Sequence, residues 1–112
     1  MKLNDIIFEK QKVSRSWGKE IWWGATEYGC GKLISIYPGN KVPLYNNSGH
    51  TKSFYLYSGK MILRIGLIEA DSKEFEIVSQ IKAGDCWQIK HNTIYQIESL
   101  LHCTIFVLSK EP

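Results

Sequence analysis

No apolar run in this chain approaches the ~18 residues that a membrane-spanning helix needs. The first residues, MKLNDIIFEKQK, lack an apolar stretch followed by a small-residue cleavage site. That pattern predicts no signal peptide and, by default, a cytoplasmic location. Cysteine is scarce and odd in number: Cys30, Cys86 and Cys103, with no C-x-x-C pair. Such usage fits reduced thiols, some buried, better than a disulfide framework or a zinc site. Cys86 follows Gly84-Asp85 on a β-rich stretch and reads as a small buried hydrophobe rather than a catalytic thiol. A basic run is also missing. The net charge is only +3, and Lys10, Lys12, Arg15, Lys19, Lys52, Lys60, Arg64, Lys82 and Lys90 are scattered. Nucleic-acid binding is therefore not expected. Helix signals are weak, with only mixed periodicity over residues 3–11.

What is present reads as strand nearly throughout. EIWWGA (20–25), KLISIY (32–37), SFYLYS (53–58), KMILRIGLIEA (60–70) and EFEIVSQI (74–81) are β-rich runs, followed by DCWQI, TIYQIES and CTIFVLS. Turn residues separate them: Gly29-Cys30-Gly31, Pro38-Gly39, Ser58-Gly59, Ala83-Gly84-Asp85. Short strands with turn signals every 8 to 12 residues argue for an all-β sandwich or barrel. With 112 residues and no linker or repeat, one domain over 1–112 is expected.

Period-two alternation sorts the faces. Lys52, Phe54 and Leu56 share one side of their strand, while Ser53, Tyr55 and Tyr57 share the other. Trp22 and Trp23 are adjacent and must face opposite sides. Trp17, Trp22, Trp23 and Trp87 are expected as core, lip or subunit contacts, and Arg64 as an outer-face charge. Tyr45 and Asn47 lie two apart, so in an extended segment both point to one side, roughly 7 Å from one another.

The stretch "SWGKEIWWGATEYGCGKLISIYPGNKVPLYNNSGHTKSFYLYSGKMIL", with "IKAGDCWQIKHNTIYQIES" after it, resembles the cupins. Within them it looks most like the small cupin domains of the mannose-6-phosphate isomerase and mannose-1-phosphate guanylyltransferase kind. The resemblance implies a cupin jelly-roll barrel of two packed antiparallel sheets, with a pocket in its mouth and a homodimer as the common assembly. The family's first motif is Gly, five residues, His-x-His, three or four residues, Glu, six residues, Gly. Here Gly39 and Gly59 frame it, and Tyr45, Asn47 and Lys52 stand at the ligand positions. The second motif is Gly, five residues, Pro-x-Gly, two residues, His. Here Gly84 opens it, Lys90 and Asn92 replace the Pro and Gly, and Tyr95 stands for the His. The glycine frame is kept and every metal ligand is changed.

The replacements alter the chemistry. Asn offers a neutral carbonyl, Tyr is protonated near neutrality, and Lys places a positive charge where a cation would sit. Two unit charges ~4 Å apart repel by about 4 kcal/mol at an effective dielectric of 20. No metal and no cofactor are therefore expected. An ammonium in a pocket instead favours an anionic or polar small molecule, with Tyr45, Asn47, Lys52 and Tyr95 as the ligand-binding set. In the plainer reading, Lys52 turns to solvent or pairs with Glu98 or Asp85. Two alternatives stand beside these. One is a metal-free sugar isomerase or epimerase, with Lys52 as base and Tyr95 or Tyr45 as acid. The other is a metal-dependent enzyme using His50, His91 and His102.

Overall fold

The computed structural model describes residues 11–46, 50–67, 75, 77–90 and 92–110, with the side chains of 43–46 and 67 excepted. Ten strands run through them: β1 (Gln11–Arg15), β2 (Gly18–Thr26), β3 (Gly29–Ile36), β4 (Lys41–Asn46), β5 (Lys52–Ser58), β6 (Lys60–Leu67), β7 (Ile77–Lys82), β8 (Cys86–Ile89), β9 (Thr93–Ser99) and β10 (Cys103–Ser109). They form two antiparallel sheets, ordered β1-β2-β3-β10-β5-β8 and β4-β9-β6-β7. The all-β expectation of two packed sheets holds. Residues 3–10 of the ambiguous N-terminal stretch lie outside the described set. Among the described residues no helix is long and apolar enough to cross a membrane.

The turns explain why the chain changes sheets where it does. Gly39 (φ 79°), Gly59 (φ 105°) and Gly84 (φ 98°), the three glycines of the motif frame, all occupy positive φ. L-residues with a Cβ avoid that region. At Gly59, between β5 of one sheet and β6 of the other, a Cβ would also strike the His102 carbonyl. Asn92 adopts φ 57°, the left-handed conformation that Asn tolerates better than most residues. It stands at the position where the motif has its second glycine.

Strand register stacks the inner face of the larger sheet into cross-strand rows. The deepest row holds Ile36 and Cys103. Above it, Glu20 pairs with Ile34, Ile34 with Ile105, and Ile105 with Leu56. The next row runs Trp22, Lys32, Val107, Phe54 and Trp87. Nearest the open end, Lys52 pairs with Ile89. The smaller sheet closes this stack with Val42, Met61, Leu63, Tyr95 and Ile97. The lower rows are apolar but for Glu20, and polar groups collect toward the mouth. Burial of the fully enclosed Ile36, Leu56, Met61, Ile97 and Ile105 supplies the main driving force.

One residue departs from the sequence expectation. Cys86 is exposed, because it pairs with the outward-facing Tyr55, and only Cys103 is buried. The alternation of β8 puts Trp87 rather than Cys86 against the core. On β6, Arg64 behaves as foreseen: it lies on the outer face of its sheet and pairs with Glu98 at 2.9 Å.

Candidate functional site

Lys52 begins β5 on the same face as Phe54 and Leu56, both buried. Alternation therefore carries its half-buried side chain to the barrel mouth. Phe54, one row below, stacks on Trp87 with ring centroids 5.3 Å apart and planes 4° apart. Its ring meets Tyr95 edge-on at 5.7 Å. Tyr95 comes from β9 of the opposite sheet and is only 4% exposed. One phenyl ring thus joins the two sheets directly beneath the mouth.

Glu20, on β2, is 6% exposed and is held from two sides. Arg15 donates to Oε2 through Nε at 3.1 Å and Nη2 at 2.9 Å. Lys32 approaches Oε1 at 3.4 Å and lies over the Trp22 ring, 5.3 Å from its centroid. The shape of the field is visible in the titrating groups. Burial pulls the Lys52 ammonium below the usual lysine value, the positive charge of Lys32 pulls it further, and Glu20 opposes both. Burial pushes the Tyr95 hydroxyl above its ordinary value, and the charge of Glu20 adds to the rise. The charge of Glu20 thus reaches both Lys52 and Tyr95, and Tyr95 stays a protonated donor at neutral pH. Two further donors lie nearby. The indole N–H groups of Trp22 and Trp87 are buried and have no hydrogen-bond partner among the described residues. Unpaired buried donors are uncommon because each forfeits its hydration.

Of the sequence-predicted set, Lys52 and Tyr95 both neighbour Phe54: Lys52 precedes it on the same face of β5, and Tyr95 meets its ring edge-on. Position 45 pairs with Ile94, whereas its neighbour Leu44 pairs with Tyr95, so strand register sets Tyr45 one step out of phase with Tyr95. The Tyr45 side chain and all of Asn47 lie outside the described residues, as does His91. The expected partners of Lys52 are engaged elsewhere: Glu98 binds Arg64, and Asp85 accepts the Lys82 backbone N–H at 2.9 Å. Among the described residues no carboxylate forms an ion pair with Lys52.

His50 and His102 do not converge. His102 precedes Cys103 at one end of β10, and its Nε2 lies 2.6 Å from the hydroxyl of Ser35. His50 precedes β5 at the other end, where Ser53 stands opposite Leu108. The seven residues of β10 hold the two ends about 20 Å apart. Among the described residues no three His, Cys, Asp or Glu side chains form a metal-holding group. The two family ligand positions with described side chains offer an ammonium and a phenol, neither of which donates an electron pair to a cation near neutrality.

Sequence reasoning missed Glu20 and Lys32. On β2 the outward set Lys19, Ile21 and Trp23 is more apolar than the inward set Gly18, Glu20 and Trp22, so hydrophobicity favours the wrong face. The usable signal was the gap it left, a Glu between a Gly and a Trp on a strand whose partner β3 carries Lys32 opposite Trp22.

Neither a protein-family model nor a curated protein sequence matches the chain. Solved structures do. The cupin domain of Drosophila melanogaster CENP-C superposes with a TM-score of 0.71 at 15% identity, covering 89% of this chain and 74% of that one. KdgF from Halomonas sp. gives 0.72 at 14% identity, over 94% and 90%. The capsular polysaccharide assembling protein CapF of Staphylococcus aureus gives 0.73 at 12% identity, over 100% of this chain but 31% of that one. The fold is that of the cupin domains.

Proposed function

We propose that the barrel mouth binds a small anionic molecule of the sugar-acid or sugar-phosphate kind. One observation carries this reading: Arg15 and Lys32 share a single carboxylate, Glu20, while the half-buried Lys52 at the mouth has no carboxylate paired with it among the described residues. The surplus positive charge sits in a partly dry chamber, where an anion is attracted far more than in water. Tyr95 adds a hydroxyl that stays protonated, and the Trp22 and Trp87 rings suit the C–H face of a sugar. The sugar setting is supported by CapF, whose own name ties that protein to polysaccharide assembly. The same surplus of positive charge disfavours a resident cation. Near-stoichiometric zinc, iron, nickel or manganese in the purified protein would overturn the reading.

The test is calorimetry at pH 7 with gluconate, glucose 6-phosphate and glucose. Both acids should bind and glucose should bind far more weakly. Lys52→Glu should weaken both acids by about 30-fold or more, since it reverses a charge in a chamber of low polarity. Equal binding of glucose and its acids would sink the proposal. Affinity should also fall with rising pH. The ammonium is the binding form, and the lowered value for Lys52 means that it is lost before the ordinary 10.5 is reached. Running the titration in deuterated water separates binder from isomerase: deuterium appearing at a sugar carbon would make Lys52 and Tyr95 a base and acid pair.

The outer face of the larger sheet supports a second proposal, self-association. Outward positions on its three central strands are Gly31, Leu33, Ser35, Thr104, Phe106, Leu108, Ser53, Tyr55 and Tyr57, and none is charged. Leu108 is 58% and Tyr57 63% exposed, and Tyr57 packs edge-on against Phe106. Beside them Trp23, 53% exposed, lies flat on Gly31, where any side chain would collide with its ring. These three strands, with Trp23 of β2 beside them, at about 4.8 Å spacing and seven residues of length give a footprint of about 300 Å². Two copies of a flat uncharged sheet pack face to face, as sheets do within sandwiches. Light scattering should give a dimer, and Tyr57→Lys with Leu108→Lys a folded monomer. A wild-type monomer at 100 μM would overturn the proposal.

A further inference from the structure

We infer that the end of the barrel opposite the mouth docks on an anionic lipid surface. Five connections meet at that end, residues 16–17, 37–40, 59, 83–85 and 100–102, and all of them are described. Backbone hydrogen bonds tie them together. Gly39 donates to the Ser99 carbonyl, Ser99 donates to that of Asn40, and Leu100 and Leu101 both donate to that of Lys60, at 2.9 and 3.3 Å. The tip so held is apolar and open to solvent. Leu100 is 41%, Leu101 53% and Tyr37 48% exposed. The Tyr37 ring lies beside that of His102, with centroids 6.2 Å apart.

Around the tip the charge is of one sign. Of the ten strand ends that meet these connections, four are basic, Arg15, Lys41, Lys60 and Lys82, and none is acidic. Arg15 is engaged with Glu20, whereas the three exposed lysines form no ion pair with a described residue. The only acid in the five connections, Asp85, accepts the Lys82 backbone N–H at 2.9 Å. Lys60 and Lys82 are direct cross-strand partners, which sets their Cβ atoms about 5 Å apart on one face. Like charges so opposed weaken a strand pair unless an anion lies between them. With Gln80 they line an open cavity of about 280 Å³ beside the leucine turn.

These features fit a bilayer better than a protein. Three apolar side chains on turns project as a narrow tip, too small for the roughly 800 Å² that each partner buries in a stable protein interface. Lipid closes round such a tip. Leu100 and Leu101 enter the acyl boundary, and Tyr37 sits at head-group level. The lysines reach lipid phosphates, one of which occupies the cavity between Lys60 and Lys82. The mouth, about 20 Å away at the other end of β5, stays open to solution.

The experiment is co-sedimentation of the full chain with vesicles of phosphatidylcholine, alone or with about 30% phosphatidylserine, in about 0.1 M salt. The protein should partition onto the anionic vesicles and leave the neutral ones in solution. A basic residue near such a surface is worth about fivefold in partition, so Lys60→Glu with Lys82→Glu should lower it at least 50-fold. Leu100→Ser with Leu101→Ser should lower it at least tenfold. Both variants should keep the parent melting temperature, since the four side chains are exposed. Soluble glycerophosphoserine, which offers the same phosphate without a bilayer, should not compete. No partition onto the anionic vesicles, or equal partition onto both kinds, would overturn the proposal. So would full binding by the leucine variant, or displacement by glycerophosphoserine. A leucine variant that instead changes the oligomeric state in vesicle-free light scattering would make the tip a contact between copies and overturn it too.

Discussion

Replacing Glu20 with alanine should destabilise the protein by about 3 kcal/mol while strengthening anion binding. The carboxylate is nearly inaccessible and holds two cations. Its removal strands the Lys32 ammonium, whose side chain is 18% exposed, over the Trp22 ring. Breaking a buried ion pair by removing one partner costs roughly 3–5 kcal/mol. The Arg15 side chain is 47% exposed and regains water, which sets the expectation at the lower end. With a urea m-value of about 1–3 kcal/mol/M, the unfolding midpoint should drop by about 1 M or more. Glu20→Gln keeps an acceptor for Arg15 and should lose less. The double change Glu20→Leu with Lys32→Met removes charge and partner together and should recover most of the loss. In Glu20→Ala held below its melting range, gluconate should bind more tightly, because its competitor for Lys32 is gone. A stability loss under about 0.5 kcal/mol would mark the cluster as an ordinary surface ion pair.

Phe54→Ala should cost about 3–5 kcal/mol, the range for deleting a large buried aromatic side chain. The ring is 3% exposed, stacks on Trp87 and meets Tyr95 edge-on. Among the described residues it is the one side chain in ring contact with an aromatic of each sheet. Losing it opens a cavity and frees Trp87, so native tryptophan fluorescence should shift to the red before any unfolding. Anion affinity should fall at least tenfold, because the Trp87 indole is no longer fixed. Phe54→Leu fills much of the space and should restore most of the stability but not the fluorescence. Stability within about 1 kcal/mol of the parent for Phe54→Ala would show that the two sheets are joined at this level by other groups.

The glycine frame was legible from the sequence because turn chemistry is local. Gly39, Gly59 and Gly84 sit at positive φ, where the steric demand of the backbone alone selects the residue, and Asn92 shows the same demand met by the next most tolerant side chain. Alternation was equally legible on β5: the inward placement of Lys52, Phe54 and Leu56 follows from a period of two and needs no partner strand. Cys86 was misread for the complementary reason. A four-residue strand offers too little alternation to say which face is inside, and the pairing of Cys86 with Tyr55 decided it.

The sequence by itself determined an all-β chain, the turns that divide it and the placement of Lys52 on the inward face of its strand. Only the tertiary structure decided what that lysine meets. Glu20, Lys32, Lys52 and Tyr95 lie on four different strands of two sheets, and their charges come within reach only through long-range register. The same register parts His50 from His102 by the length of a strand. Backbone sterics act between neighbours in sequence, whereas an electrostatic field sums over neighbours in space.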